Sequence, residues 1–262
     1  MLLKDRTAII TGASRGLGQE INRLFIAEGA KTVTCSKNGN AVNLKCDVSN
    51  PTSIKYFVHT SVLSLEHIDI LVCNAGIYGP IGAVEDNNWD HWQSTLETNL
   101  FGVVNMCRAV IPHMKKQGHG KIIILSGGGA TKPMPNFSAY AASKAAVVRF
   151  AETIAEELRE YNIEVNCVAP GSMNTDFMTT AIAAGPEKSG HEFHERMLKQ
   201  KQDGGDSIET AAELCLYLAS NKSNGITGKL ISAVWDNWNN LDKTKLQTDM
   251  YTLRRIDKES ML

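Results

Sequence analysis

The stretch Thr7-Ala8-Ile9-Ile10-Thr11-Gly12-Ala13-Ser14-Arg15-Gly16-Leu17-Gly18 decides how the chain is read. It opens with a short apolar run and continues into a glycine-rich turn, after which Leu17, Ile21, Leu24 and Phe25 recur at helical spacing until Gly29. That pattern predicts strand, turn and helix. Such a turn exposes backbone N–H groups at the positive end of a helix, where a pyrophosphate binds well. Gly12, Gly16 and Gly18 are spaced GxxxGxG, not GxGxxG. A plain tight turn uses glycine for the same steric reason, so the turn alone leaves both readings open.

Working outward, Lys31–Ser36, Ala41–Leu44 and Asp69–Cys73 read as strands, with a helix over Ile54–Leu65. Helical spacing returns over Trp89–Ile111, where Pro112 is expected to disturb or end it. Strands at Lys121–Leu125, Glu164–Val168 and Lys229–Val234 alternate with helices at Ser138–Tyr161 and Ile208–Leu218. Strands alternating with helices predict an α/β fold with a doubly wound parallel sheet in a single domain. Residues 1–235 read as this one domain, with 176–207 as loop with some helix, and 236–262 as a C-terminal tail. The segment Lys37 to Ala41 is very short for a parallel crossover, which normally takes a dozen residues or more.

Composition narrows the function classes. Across 262 residues, 27 Lys+Arg face 28 Asp+Glu, so no net field draws the protein to nucleic acid or an anionic membrane. No apolar run is long enough to span a bilayer, and the N-terminus does not read as a signal peptide, so the expected location is cytoplasmic. The six cysteines form no CxxC pair and read as buried reduced thiols. No metal is expected: His191 and His194 lack further ligands in a suitable pattern and read as a solvated loop. Lys115, Lys116 and Lys121 read as a wet helix end and not as a phosphate site.

Tyr140 and Lys144 lie four residues apart, on one face of a helix, where an ammonium near a phenol favours phenolate and makes the tyrosine a usable acid–base. Such pairs also occur incidentally. Taken together, however, Thr11-Gly-x-x-x-Gly-x-Gly18, Asn74-Ala75-Gly76, Asn99, Tyr140-x-x-x-Lys144 and Pro170-Gly171-x-x-x-Thr175 stand in an order that resembles the short-chain dehydrogenase/reductase superfamily over about residues 4 to 235. The likeness is to 3-oxoacyl carrier protein reductase-like members, with a fainter one to a sugar or glycoconjugate branch carried by Ser126-Gly-Gly-Gly-Ala-Thr131 and Asp249-Met-Tyr-Thr-Leu-Arg-Arg255. The resemblance implies a Rossmann fold, with 1–235 a dinucleotide-binding catalytic domain that includes a substrate loop at 176–207, and an NAD(P)-dependent oxidoreductase moving hydride between cofactor and a small-molecule carbonyl/alcohol pair, sugar-linked or acyl-linked. It makes Tyr140 the general acid/base, Lys144 the ribose contact and modulator of Tyr140, and Asn99 the holder of a relay water. The cofactor would meet Gly12, Ser14, Arg15, Gly16, Leu17, Gly18, Asp47, Val48, Asn74, Ala75, Gly76, Tyr140, Lys144, Pro170, Gly171 and Thr175. A homo-oligomer, a tetramer, is expected through the helices Trp89–Ile111 and Ser138–Tyr161.

Departures from the family pattern sharpen the expectations. Its catalytic serine falls thirteen residues before the tyrosine, where this chain has Gly127. Ser126 takes that role only if the strand end bends at Gly127; Ser138 and Thr131 are the substitutes. At the end of the second strand Ser36 and Lys37 stand where NAD sites carry an acidic residue, and with Arg15 they predict NADP over NAD. Trp235, Trp238 and Tyr251 predict an ordered tail covering its own or a neighbouring subunit. The competing readings are a non-catalytic nucleotide-binding protein, favoured by the missing serine, and an epimerase or dehydratase using the same tyrosine.

Overall fold

β1 (Thr7–Thr11) runs through the middle of a seven-stranded sheet, every strand of which is parallel to its neighbours. The computed structural model describes residues 1–241, 246 and 250–254. Beside β1 lie β2 (Lys31–Ser36), β3 (Leu44–Lys45), β4 (Ile70–Cys73), β5 (Gly120–Leu125), β6 (Ile163–Ala169) and β7 (Lys229–Ser232), in the order β3-β2-β1-β4-β5-β6-β7. The chain reverses its direction of winding between β1 and β4, so a crevice opens at the carboxyl ends of those two strands.

Alternation along the strands sends side chains to two separate cores. Ala8 and Ile10 pack with Ile21 and Phe25 of α1 (Gly16–Ala27) and with Leu214 and Cys215 of α9 (Ile208–Ala219). Ile9, Leu71 and Ile122 face the other way, onto Phe57 of α2 (Pro51–Leu65), Val110 of α4 (Gly102–Gln117) and Val147 of α5 (Ser138–Glu157). Each such large side chain, taken fully out of water, contributes about 1.5–3 kcal/mol. All six cysteines are buried free thiols in these layers.

The short crossover is real, but the third strand is smaller than its expected Ala41–Leu44 span. Asn40 Oδ1 accepts from the Val42 and Asn43 amides and Thr34 Oγ1 donates to Val42 O, so this stretch is a hydrogen-bonded turn and leaves only Leu44 and Lys45 to pair with β2. Returning the chain over two residues needs little length.

Pro112 does not end its helix. α3 (Trp89–Leu96), a π turn (Glu97–Phe101) and α4 form one continuous run to Gln117, with Pro112 inside it. Pro112 and Arg108 both lie on the exposed face, where the carbonyl that loses its partner reaches water. Residues 176–207, expected as mostly loop, hold α6 (Asp176–Ala183), α7 (Pro186–Ser189) and α8 (His191–Asp203). The polar composition of α8 hid a narrow apolar stripe, Phe193 and Met197, one helical turn apart. Lys121 is likewise no helix end: it sits in β5, its ammonium 2.5 Å from Glu164 and 2.9 Å from Ser223 Oγ.

Beyond β7 the tail returns onto its own chain. Trp238 is buried against Tyr217 and donates through Nε1 to Ala233 O, whereas Trp235 is exposed. The Leu230 amide donates to Tyr251 O at 2.7 Å, and Glu152 accepts from the Leu253 amide and Arg254. The tail therefore lies across the β7 edge and onto α5. Residues 242–245, 247–249 and 255–262, with Asp249 and Arg255 of the sugar-branch likeness, lie outside the described residues.

At the amino ends of the strands, the buried Asp69 carboxylate ties β1 to β4. It accepts from the Thr7 amide at 2.8 Å and lies 3.3 Å from Arg6, 3.2 Å from His67 and 2.8 Å from His119. Burial pushes this carboxyl up, but the Thr7 amide, His119, His67 and Arg6 together bring it below the ordinary value. Its stabilisation is therefore complete above the unfolded value of about 3.9 and is lost as pH falls through the lower folded value. Asp69→Asn should cost about 1.5–3 kcal/mol of unfolding free energy in urea titrations at pH 7. The gap from wild type should close in acid; a gap unchanged at pH 2 would contradict this account.

Candidate active site

Glycine lets the ends of β1 and β4 meet the start of α1. A Cβ on Gly18 would fall 2.4 Å from Asn74 Nδ2 and 2.5 Å from Gly12 O, and one on Gly12 would fall 2.8 Å from Ala75 Cα. Asn74 Nδ2 donates to Thr11 O and Gly12 O, while Thr11 Oγ1 accepts from the Asn74 and Ala75 amides. Arg15 precedes α1 without capping its first turn through its side chain, so the helix start faces the crevice with only backbone donors. Such a cradle fits the pyrophosphate of a dinucleotide, and any side chain at Gly12 or Gly18 would fill it.

Of the residues expected at the site, all except Asn99 line one cavity of about 1420 Å³. At the β2 end of the cavity Lys37 lies 3.0 Å from Asp47, whose other oxygen accepts from the Ser49 amide and hydroxyl. Burial raises Asp47, yet Ser49 and Lys37 bring it net below the usual carboxylate range. Arg15 Nε lies 2.5 Å from Asp176 Oδ2, joining the glycine turn to the first residue of α6. Both cation pairs are largely exposed at their Lys37 and Arg15 ends.

Tyr140 and Lys144 share the cavity face of α5, with Nζ 5.7 Å from the phenol ring centre. Lys144 Nζ donates to Leu125 O at 2.8 Å, and burial brings its pKa down to about 8. The phenol differs from expectation: burial, and secondarily Tyr78, push Tyr140 upward. Asn99 sits buried in the π turn, an irregularity common at functional sites. Its Oδ1 accepts from the Ile77 amide, and both Nδ2 protons are committed, to Ile77 O and Ser143 Oγ. The side chain is thus a brace between the loop after β4 and α5. Ser143 completes the brace by donating to Tyr140 O at 2.7 Å.

Ser126 lines the cavity, but its hydroxyl is hydrogen-bonded to the backbone of α5. Its amide continues the ladder to Val168 O, Gly127 is extended at φ 179° and ψ 173°, and the hydroxyl donates to Lys144 O at 3.4 Å. The bend that would bring it round is missing. A Cβ on Gly127 would lie 2.3 Å from Tyr140 Oη, so the phenol occupies the space of the side chain that the chain lacks there. Ser138 Oγ accepts from Trp92 Nε1 at 3.1 Å and Ser138 is not among the cavity-lining residues, while Thr131 lines the cavity but is exposed.

Sequence reasoning gave only part of the wall around Tyr140, reading the Met and aromatic residues of 173–197 as a pocket lining or a packed lid. Tyr78, Phe137, Phe177 and Phe193 surround Tyr140 with Met178 and Met197. They come from four separate segments, and the only advance signal was the aromatic and Met content of 173–197. Among the described residues no group of three or more His, Cys, Asp or Glu could hold a metal, and no helix is long and apolar enough to cross a membrane.

Comparison with known proteins agrees with this geometry. The family model described as short chain dehydrogenase matches residues 6–185. The chain belongs to the short-chain dehydrogenase family. It is therefore an oxidoreductase, and membership implies a nicotinamide cofactor. It is 32% identical over 248 residues to the 3-oxoacyl acyl-carrier-protein reductase FabG of Chlamydia trachomatis, covering 88% of this chain and 96% of that one. The human dehydrogenase/reductase SDR family member 4 is 30% identical over 244 residues, covering 87% and 86%. Among solved structures, the aldohexose dehydrogenase of Thermoplasma acidophilum superposes with a TM-score of 0.78 at 27% identity, covering 88% of this chain and 92% of that one. An NAD+-bound xylitol dehydrogenase, at 23% identity and TM-score 0.80 over 88% and 98%, shares the fold.

Proposed function

We propose that this short-chain dehydrogenase interconverts a carbonyl and an alcohol with Tyr140 as general acid/base. The observation that carries the reading is convergence: a Cβ on Gly76 would lie 3.2 Å from Asn99 Oδ1 and 3.6 Å from Lys144 Nζ, and Lys144 shares a helix face with Tyr140. A bound nicotinamide supplies or accepts the hydride. The turn from Gly12 to Gly18, with Ser14 and Leu17, would hold its pyrophosphate, Asp47 and Val48 its adenine, and Asn74 to Gly76 with Pro170, Gly171 and Thr175 its nicotinamide end. As the substrate oxygen gains charge, Tyr140 gives up its proton, quenching the alkoxide. Lys144, protonated below a pKa of about 8, keeps a positive charge beside the phenolate that remains. Asn99 is a positioning residue that fixes Ile77 and α5.

The aromatic and Met wall supports an apolar or acyl-linked substrate over a sugar, whose hydroxyls need polar partners. The buried thiols suit a reducing cytoplasm. Tyr140→Phe should abolish turnover of a ketone panel, followed at the reduced-nicotinamide absorbance band, while leaving cofactor affinity almost intact; Lys144→Ala should impair both. Retention of more than about a tenth of the rate by Tyr140→Phe, under about 1.4 kcal/mol, removes it as the acid.

Arg15, Ser36 and Lys37 support NADPH over NADH. Their existing partners, Asp176 and Asp47, sit in exposed pairs worth little, so a 2'-phosphate dianion competes for the cations. Fluorescence titration should find NADPH the tighter ligand; equal or tighter NADH binding contradicts this.

A homotetramer is proposed through the α3–α4 run and α5, where Trp89 and Phe101 are exposed apolar side chains. Light scattering at micromolar concentration should report an assembly; a monomer mass rejects it.

A further inference from the structure

One donor to the substrate oxygen is not enough to explain this site. An oxygen that becomes an alkoxide is held best by more than one preorganised hydrogen bond, and each is worth on the order of a hundredfold in rate. Tyr140 supplies one. Gly127 supplies none, Ser126 donates to Lys144 O, Ser138 is not among the residues lining the cavity, and Thr131 is an exposed lining residue.

Tyr78 stands next to Tyr140 in the same cavity, its ring edge-on at 77° with the centres 4.7 Å apart. Phe177, at 4.7 Å, and Phe137, at 5.2 Å, hold the ring from other sides. The backbone is fixed as firmly. Gly79 follows at φ +72°, and a Cβ there would fall 1.9 Å from Thr95 Oγ1, so the chain after Tyr78 lies flat against α3. The Tyr78 hydroxyl has no hydrogen-bond partner among the described residues, although the ring is half-buried. Burial raises its pKa to about 12 against the opposing charge of Arg196, so it is protonated at any working pH and is a donor.

We propose that Tyr78 is a second catalytic residue, donating a hydrogen bond from its phenol to the substrate carbonyl oxygen while Tyr140 delivers the proton. The proposal rests on the oxidoreductase reading above. In reduction, the carbonyl carbon takes the hydride of a reduced nicotinamide and its π pair moves onto oxygen. The Tyr140 O–H bond breaks to protonate that oxygen, and the resulting phenolate recovers a proton from solvent. Tyr78 keeps its proton throughout. The two phenols together do the work of the tyrosine and serine in the family pattern, with the second hydroxyl brought from the loop after β4 and not from the end of β5.

Tyr78→Phe tests this, because it keeps the ring and its edge-on contacts and removes only the hydroxyl. With saturating NADPH and a panel of acetophenone, cyclohexanone and a 3-oxoacyl thioester, kcat should fall about 50- to 100-fold, with Tm and cofactor affinity unchanged. A variant within threefold of wild type overturns the proposal. If Tyr140→Phe is inactive in the same assay while Tyr78→Phe is fully active, only the Tyr78 assignment fails. If the wild type turns over no ketone or alcohol, the oxidoreductase reading fails first. A second readout needs no turnover: the infrared carbonyl band of 13C-labelled acetophenone bound with NADP+. Two donors lower its frequency, and Tyr78→Phe should move it partway back. An unmoved band, or no bound ketone at all, overturns the proposal.

Discussion

The site depends on how closely backbones approach one another where side chains are absent. Gly12 and Gly18 let the end of β1 touch both the loop after β4 and the first turn of α1, and Asn74 locks that contact with two hydrogen bonds to the β1 end. A side chain at either glycine would push the strand ends apart and fill the place where the α1 N–H groups are open to an anion. The same device recurs at the end of β5. A Cβ on Gly129 would fall 2.8 Å from Ala141 Cα, so the glycine run brings β5 down onto α5, and the vacant Cβ position of Gly127 takes the Tyr140 phenol.

From that contact the electrostatics follow. Tyr140 and Lys144 are both buried, and burial disfavours the charged form of each, so phenol and ammonium are displaced toward neutrality in opposite directions. Burial thereby keeps the phenol protonated and brings the ammonium down to where it titrates near neutral pH. The brace through Asn99, Ser143 and Ile77 fixes the helix turn that carries both groups.

Much of this was readable in the chain. Buried strands such as Ile70–Cys73 are short apolar runs between turn signals, and Tyr140 and Lys144 declare themselves by helical spacing. Asn99 was found by its place in a pattern, but its side-chain work was not, because Ile77 and Ser143 reach it only after folding. Pro112 misled because its effect depends on which face of the helix it occupies. Ser126 was one dihedral question away from being assigned, and only the extended Gly127 answers it. Tyr78 carries no local signal: its partners at 137, 140 and 177 are brought together by packing alone.

The π turn at Glu97–Phe101 has a consequence for how this chain tolerates insertions and deletions. A π turn holds one residue more than the α-helical path, and each residue rotates a helix by about 100°. Removing a single residue between Glu97 and Phe101 would let a regular helix cover the same arc, keeping Val103, Met106, Val110 and Met114 on the core face of α4 and Gly102 against Val48, but losing the bulge that carries Asn99 to Ile77 and Ser143. The extra residue thus allows one helical run to serve two masters: Asn99 facing the active site, and an apolar stripe facing the sheet.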